Sequence, residues 1–242
     1  MMDKNSNSYT FIFAIVMVIV VAVTLSFTAT TLGPLQKENV RKEKMQNILS
    51  TIGIETSRED AEELFNKYIT QQIALNSEGE KKEDVNAFDV NLAKELSKPE
   101  EEQSYPIYLA NYEGSEFYIV PLRGNGLWDA IWGYIALKED ANTVQGVVFD
   151  HKAETAGLGA EITTDWFQKS FVEEKVFNKQ GELVGVNVKK GYSGGNNKDD
   201  NQVDSISGAT ITSDGVSVMI EKRLKNYLPF LKKRQNIKVA TR

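Results

Sequence analysis

The chain has 242 residues, of which 41% are apolar, enough for one sizeable domain with an anchor or for two small domains. Its formal net charge of -6 argues against a nucleic-acid partner, because the composition offers no basic surface for phosphates. It contains no cysteine and a single histidine, His151, which excludes disulfides, iron–sulfur clusters and multi-histidine metal sites. If the protein carries out redox chemistry, an organic cofactor must supply it.

The N-terminal part contains an apolar segment long enough to cross a bilayer. No charged side chain occurs from Asn5 to Gln36, and residues 9–32 are almost wholly apolar. A bilayer core needs about 20 helical residues, so we predict a transmembrane helix over 9–32, after a short tail of residues 1–8. The alternative is a cleaved signal peptide, but the apolar run is too long for one, and Lys4 is the single basic residue before it.

The charges around this span bear on its orientation. One basic residue precedes the span, whereas four follow it closely: Lys37, Arg41, Lys42 and Lys44. The positive-inside rule would therefore place the large domain in the cytoplasm. The signal is weak, because large domains can translocate despite such charges.

Residues 33–103 are predicted to be a helical and connecting region. A polar, helix-like stretch runs from Leu35 to about Ser50. The sequence Ser57-Arg58-Glu59-Asp60 resembles a capping box that opens a second helix. The apolar face of this helix comprises Ala61, Leu64, Phe65, Tyr68 and Ile69. Residues 76–102 are polar and predict exposed connections, with strand-like alternation only at 87–92.

From residue 104 the pattern becomes that of a β-rich domain. Strands are predicted at 105–110, 117–122, 131–137 and 144–149, separated by Asn, Gly and Asp. A helix at 166–176, a strand at 183–188 and an amphipathic helix that begins at Ser213 and ends at Pro229 follow. Successive strands with helices at the ends predict an α+β fold around a mostly antiparallel sheet, with 104–242 as one domain.

The segment before the last helix carries the most specific chemistry. Gly208 and Ala209 leave the backbone open to close approach by a bulky group. Thr210 and Thr212 place hydroxyls just ahead of a helix, whose N-terminal N–H groups and dipole suit a phosphate. The residues alone favour a simpler interpretation, a turn followed by an N-cap at Thr212 or Ser213.

This segment resembles the flavin-attachment motif of the FMN-binding domain family. The sequence Asp204-Ser205-Ile206-Ser207-Gly208-Ala209-Thr210 matches the family pattern Asp-x-x-Ser/Thr-Gly-Ala-Thr. The resemblance implies that Thr210 carries FMN through a phosphoester made by a flavin transferase. The implied recognition frame comprises Asp204, Ser207, Gly208 and Ala209. Thr212 lies outside the match and is the nearest rival acceptor.

A second motif resembles the family's flavin-contacting loop, Glu-Thr-Pro-Gly-Leu-Gly. It is Glu154-Thr155-Ala156-Gly157-Leu158-Gly159, in which Ala156 replaces the usual Pro, so the loop's φ is less fixed but no contacting side chain is lost. The resemblance implies that five residues of this loop bind the flavin: Glu154, Thr155, Gly157, Leu158 and Gly159. Taken alone, this segment is a Gly-containing strand-to-helix connection. An acid–base or metal pair of His151 and Glu154 is disfavoured, because no partner cluster accompanies it.

A third stretch narrows the resemblance to a subfamily. Arg123-Gly124-Asn125-Gly126-Leu127-Trp128, with Trp132-Gly133-Tyr134-Ile135-Ala136-Leu137 after it, resembles the C subunits of sodium-translocating NADH:quinone reductases. The related G subunits of Rnf complexes usually have a Gly-Tyr-Gly-Gly type sequence at this point. Trp128 either edges the flavin or is a core or interface tryptophan.

The resemblance implies a membrane-anchored flavoprotein subunit that relays electrons through covalent FMN within a sodium-translocating NADH:quinone reductase. NADH is oxidised elsewhere, because the chain has no Gly-x-Gly-x-x-Gly fingerprint. The implied partners are the other subunits, a flavin transferase and membrane lipid. The implied place is the inner membrane, crossed once, with the flavin domain on the periplasmic side, contrary to the charge pattern.

Other functional classes are open. One alternative is a component of an Rnf-type complex similar to its G subunit, and another is a membrane-anchored binding domain that never acquires flavin. A Ser/Thr hydrolase lacks a plausible base, because His151 is the only histidine. The sequence assigns no residue as catalytic or as a metal ligand.

Overall fold

The computed structural model describes residues 6–240, the last five by their backbone alone. Residues 1–5 of the predicted N-terminal tail, with Lys4, lie outside the described residues, as do residues 241–242. The described chain divides between Lys44 and Met45 into two compact units.

The first unit consists of most of helix α1, Asn7–Ser50, which contains the predicted span 9–32. By length and composition, α1 is able to cross a membrane, and none of its apolar window is buried in the structure. Pro34 lies inside the helix, so the polar stretch predicted after the span belongs to the same helix. Hydroxyls in the span donate to the carbonyl four residues earlier at Thr24, Thr28, Thr30 and Thr31.

The second unit is built on a five-stranded antiparallel sheet in the order β1-β2-β3-β4-β5. The strands are β1 Ile69–Leu75, β2 Tyr105–Tyr112, β3 Ser115–Asn125, β4 Ala130–Leu137 and β5 Val144–His151. The four strands predicted from residue 104 are confirmed, and the α+β fold with them. The sequence did not predict β1.

Helix α2, Ala61–Tyr68, precedes β1 and starts directly after the predicted capping sequence; its N-cap is Asp60, whose side chain makes no capping hydrogen bond. The Ser57 hydroxyl accepts a hydrogen bond from the Asp60 N–H at 3.2 Å. The helix ends one residue earlier than predicted, because Ile69 already has an extended φ and ψ of -83° and 103° and begins β1.

The prediction of strand-like structure at 87–92 is wrong. Ala87–Asp89 forms a 3-10 turn, and helix α3, Leu92–Glu95, follows it. Two asparagines determine this local structure, because the side chains of Asn86 and Asn91 accept N–H bonds at the starts of the turn and of α3. A second 3-10 turn, Glu100–Glu102, leads into β2.

The remaining elements follow β5. They are a 3-10 segment Gly159–Thr163, helix α4 Asp165–Ser170, the parallel pair β6 Asn187–Lys189 and β7 Gln202–Asp204, helix α5 Thr210–Asn226 and helix α6 Leu228–Ala240. The helix predicted at 166–176 ends early, at Ser170, and both Phe167 and Phe171 are buried.

Two further boundaries differ from the predictions. Of the strand predicted at 183–188, only the last two residues fall within β6. Helix α5 begins at Thr210, before the predicted start at Ser213. Pro229 lies in the first turn of α6, so it separates two helices and does not end the last one.

The sheet of the second unit is covered on both faces. Along β2, Ile107 and Leu109 face a core shared with α4 and α5, whereas Tyr108 and Ala110 face the opposite core. The opposite core is completed by the last part of α1, the turn after it and α2, through Met45, Ile48, Leu49, Ile52, Ala61 and Phe65. Burial on both faces explains the near-continuous apolar runs in the strands.

Candidate functional site

Three segments that carry the predicted flavin motifs meet at one end of the sheet. They are the turn between β3 and β4, the loop after β5 and the start of α5. A methyl group on Gly126 would lie 2.5 Å from Glu154 Oε1, and one on Gly208 would lie 2.8 Å from Leu158 Cδ2. These glycines therefore mark places where two motifs, distant in sequence, approach each other closely.

Glu154 links the three segments. Its side chain is buried; Oε1 accepts a hydrogen bond from the Trp128 N–H at 3.0 Å, and Oε2 accepts one from the Thr212 hydroxyl at 2.6 Å. Its own N–H donates to His151 Nδ1 at 3.1 Å. A methyl group on Gly159 would lie 2.3 Å from Oε2, so only glycine fits beside this carboxylate.

The pKa of the Glu154 carboxyl lies below its ordinary value. Burial raises this pKa, but hydrogen bonds from the Thr212 hydroxyl and from the N–H groups of residues 127–129 favour the carboxylate and outweigh burial. Glu154 is therefore a carboxylate at neutral pH, with both oxygens occupied by protein donors. In the structure it holds the loops together, and its place among the flavin-contacting residues stays a prediction.

Thr210 and Thr212 lie in opposite environments. Thr210 is exposed and is the first residue of α5, whereas Thr212 is 1% exposed and its hydroxyl donates to Glu154. The alternative of an N-cap at Thr212 or Ser213 is wrong, because the N-cap is Ala209, which has no capping side chain. The first N–H groups of a helix have no intrahelical partner. The accessible hydroxyl at this helix start is that of Thr210.

The residues before Thr210 form an accessible frame. Asp204, Ser207 and Gly208 are exposed, whereas Ile206 and Ala209 are buried. Gly208 has a φ of 78°, a conformation that glycine adopts without strain and that turns the chain into α5. The Asp204 carboxylate accepts a hydrogen bond from the next backbone N–H at 2.9 Å and is otherwise open to solvent.

Large apolar side chains are exposed on all three segments. We call this set the apolar rim; it comprises Leu127, Trp128, Leu158 and Ile211. Trp128 is 66% exposed, so it is not a core tryptophan. Its indole N–H donates to the Thr155 hydroxyl at 3.2 Å, which fixes the ring across two of the loops. An exposed apolar cluster of this kind marks a ligand or partner surface.

His151 contacts Glu154 only through the backbone N–H of Glu154, and the two side chains do not form an acid–base pair. Within residues 6–240, no group of three or more His, Cys, Asp or Glu side chains is placed to hold a metal ion. At this end of the sheet, the structure exposes Thr210, the uncapped start of α5 and the apolar rim.

Comparison with known proteins agrees with this geometry. Residues 126–225 match the FMN-binding domain family, a range that includes all three segments of the site. The C subunit of the Na(+)-translocating NADH-quinone reductase of Haemophilus ducreyi is 36% identical over 206 residues, which cover 78% of each chain. That of Neisseria meningitidis serogroup A is 31% identical over 221 residues, which cover 84% of each. This chain belongs to the family of these C subunits.

Solved structures of the family share its fold. The C subunit from Parabacteroides distasonis matches with a TM-score of 0.75 at 39% identity, over 83% of this chain and 96% of that one. The NqrC protein of Shewanella oneidensis matches with a TM-score of 0.66 at 25% identity, over 81% and 98%. The predicted family is confirmed, and the relatives from Haemophilus ducreyi and Neisseria meningitidis are named as subunits of an NADH-quinone reductase, an oxidoreductase.

Two contacts of the site were not predicted from the family motifs. The first is the hydrogen bond from Thr212 to Glu154, which no motif position indicates. The second is the approach of α5 to the end of β3, where a methyl group on Gly215 would lie 2.4 Å from the Asn125 carbonyl oxygen. A glycine inside a helical pattern is the signal that could have indicated this close packing.

Proposed function

We propose that this chain is a membrane-anchored flavoprotein subunit in which FMN is joined through its phosphate to Thr210. The observation that carries the proposal is the contrast between the two threonines. Thr210 is exposed at the start of α5, whereas Thr212 is buried and engaged by Glu154. A transferase acting on this segment has access to the first hydroxyl and not to the second.

The residues present fit a flavin mononucleotide. The N-terminal end of α5 has no side-chain cap, so its N–H groups and positive dipole end suit a phosphate on Thr210. Exposed Trp128 and Leu158 offer apolar surface to a flat aromatic ring. Gly157 has positive φ, and no atom lies within 4 Å of the place where its Cβ would be, so the backbone of this loop leaves room for a bulky group.

When bound, FMN supplies the capacity to accept and give up single electrons. The chain's own residues then have positioning roles. The Thr210 oxygen tethers the phosphate, Glu154 keeps the three segments together, and the apolar rim excludes water from one side of the site. A covalent tether retains the cofactor although the site is open, and an open site lets a partner cofactor approach. This role suits an electron relay between other subunits of a sodium-translocating NADH:quinone reductase.

We further propose that α1 crosses the inner membrane once, with residues 45–240 on the periplasmic side. The length and exposure of α1 support the span. The family resemblance supports the side, against the basic residues that follow the span. The proposed partners are the other subunits of the complex, the flavin transferase that modifies Thr210, and the lipid around α1.

In-gel fluorescence tests the attachment. We expect the chain co-expressed with a flavin transferase to fluoresce as a flavoprotein after denaturing electrophoresis. Thr210→Val should abolish this fluorescence, and Thr212→Ser, which keeps the hydroxyl on Glu154, should retain it. A dark wild-type band would contradict the redox proposal and favour a binding domain without flavin. Fluorescence retained in Thr210→Val would move the attachment to another hydroxyl.

Cysteine labelling tests the orientation. The chain has no cysteine, so Ser193→Cys, in an exposed loop, introduces a unique thiol. A membrane-impermeant maleimide that crosses only the outer membrane should label it in intact cells. Labelling that requires lysis of the inner membrane would place the domain in the cytoplasm, as the charge pattern predicts.

A further inference from the structure

A cleft of about 370 Å³ lies between α5, the end of β3 and the segment that starts with α3. Three positively charged residues line it and no acidic residue does. We call it the basic cleft. Its charged residues are Arg123, Lys222 and Arg223, and its other lining residues include Ala93, Leu96, Val218 and Met219.

Within residues 6–240, none of the three cations of the basic cleft forms an ion pair, although the chain as a whole is acidic, with a net charge of -6. Nearby on the same helix, Lys225 pairs with Glu221. The nearest acidic groups, Asp129 beside Arg123 and Glu221 on α5, lie outside the lining, so the lining itself carries positive charge only.

Arg223 shows this most clearly. Its Nε and Nη1 atoms are buried and donate no hydrogen bond in the described structure. Burial lowers the pKa of the guanidinium, because the charge is partly withdrawn from water. A partly desolvated cation without a counter-charge is costly, and a carboxylate docked in the cleft compensates it through the part of the guanidinium that lines the cleft, since Nε and Nη1 themselves are buried.

The apolar part of the lining indicates what kind of anion fits. Val218 is 46% exposed and lies, with Leu96 and Met219, in the lining that also carries the cations. A free inorganic anion would leave this apolar surface in water. A polypeptide segment that carries acidic and apolar side chains would cover both parts of the lining.

The cleft lies on the same helix as Thr210, a short distance further along α5. Val218 is eight residues beyond Thr210 in α5, which is about 12 Å along the helix axis. A protein segment held on this side of α5 would lie close to the end at which we place the flavin.

We propose that the basic cleft docks an acidic segment of a neighbouring subunit of the same redox complex. Its Asp or Glu side chains bind Arg123, Lys222 and Arg223, and an apolar side chain covers Val218. The identity of the partner rests on the proposed function. The charge and shape of the cleft do not.

Photo-crosslinking in the assembled complex tests the docking directly. We would replace Val218 by p-benzoylphenylalanine in the full chain, co-express it with the other subunits, irradiate the purified complex and sequence the crosslinked peptide. The expected product joins this chain to a segment of another subunit that contains Asp or Glu. A product with lipid only, with a segment lacking acidic residues, or no product would overturn the proposal.

Charge reversal tests the energetics. Arg123→Glu combined with Lys222→Glu should lower the recovery of the other subunits with the tagged chain by about tenfold at physiological salt. The matched control is Lys179→Glu, an exposed lysine away from the cleft, which should recover them as the wild type does. Reversing the acidic residues of the crosslinked segment to Lys should restore assembly. Equal recovery for both variants, or no rescue, would contradict the docking.

Flavin fluorescence of the same samples separates the two proposals. A wild-type chain without covalent flavin defeats the proposed function, whatever the crosslink shows. A fluorescent chain that gives no crosslink at Val218 defeats only the docking. Thermal unfolding of the charge-reversed chain identifies a folding defect, and the crosslink, which uses unreversed charges, then decides alone.

Discussion

Glu154 bonds to residues that lie 26 positions before it and 58 positions after it, Trp128 and Thr212. It accepts from both, and its own N–H is fixed by His151. A single buried carboxylate thus sets the relative positions of the turn, the loop and the helix start. Because two donors converge on it, a neutral side chain of the same shape cannot replace it without loss.

The pair Glu154 and Thr212 should show energetic coupling. In Glu154→Gln, the amide NH₂ group faces either the Trp128 N–H or the Thr212 hydroxyl, and both of these are donors. One hydrogen bond is therefore lost, and we expect the free energy of unfolding to fall by about 1–3 kcal/mol. Thr212→Val should cost a similar amount, and the double variant should cost less than the sum. Chemical denaturation of the four proteins in detergent measures the cycle. Strict additivity would show that the 2.6 Å hydrogen bond contributes nothing.

The stability supplied by Glu154 should depend on pH. The pKa of this carboxyl is lower in the folded protein than its unfolded value of about 4.5, so its contribution is complete above that value and is lost as pH falls through the folded pKa. The difference in melting temperature between wild type and Glu154→Gln should therefore shrink as pH falls below about 4.5. A difference that stays constant from pH 7 down to pH 3 would contradict this assignment.

The site could be predicted from sequence only as far as motifs specify it. The attachment motif and its fixed spacing pointed to Thr210, and the structure leaves that hydroxyl accessible. The same reasoning made Glu154 a flavin contact, but a motif specifies a position and not the direction of a side chain. Only the fold brings Thr212 and Trp128 onto its two oxygens.

At the scale of elements, strands β2 to β5 were predictable because they are buried and bounded by turn residues. Strand β1 was missed because it is an edge strand with three consecutive exposed residues, 70–72, which break the apolar alternation. Helix α6 is not evident from the sequence, because proline occurs both in the first turn of a helix and just after the end of one. The sequence pattern alone places Pro229 after the end of α5, whereas it lies in the first turn of α6.

The packing of α5 on the end of β3 predicts a reversal of an ordinary helix rule. Replacing glycine by alanine inside a helix normally stabilises it by about 1 kcal/mol. At Gly215 the new methyl group would lie 2.4 Å from the Asn125 carbonyl oxygen, so α5 must shift. We expect Gly215→Ala to cost about 1–3 kcal/mol, as overpacked substitutions do.

Differential scanning calorimetry of the purified chain would check the expected loss in Gly215→Ala. The control is Val218→Ala on the exposed face of the same helix, which creates no such contact and should change stability by less than about 0.5 kcal/mol. A higher melting temperature for Gly215→Ala would mean that α5 does not press against β3 as described.

At the scale of the whole molecule, α1 belongs to two environments. Its apolar N-terminal part is unburied in the structure, whereas Met45, Ile48 and Leu49 at its other end are core residues of the second unit. The compact unit that starts at Met45 also contains α2 and β1. The predicted boundaries after residues 8, 32 and 103 remain predictions, but a domain cut at residue 104 would lack an edge strand of its sheet.

The two ends of α1 should therefore respond differently to truncation. A chain of residues 37–242 lacks the apolar span but keeps every described buried residue of the second unit, so we expect a soluble protein with one cooperative thermal transition. A chain of residues 53–242 also loses the buried side chains of Met45, Ile48, Leu49 and Ile52. Each such loss costs about 2–5 kcal/mol, and four together reach or exceed the roughly 5–15 kcal/mol that holds a domain folded.

The shorter chain should aggregate or lack a cooperative transition in calorimetry and near-ultraviolet circular dichroism. Ile48→Ala within residues 37–242 is the graded control, and it should lower the melting temperature without abolishing the transition. If residues 53–242 instead melted cooperatively at the temperature of the longer chain, the last turns of α1 would contribute nothing to the core. The burial of Met45, Ile48 and Leu49 instead makes the last turns of α1 part of the core of the second unit.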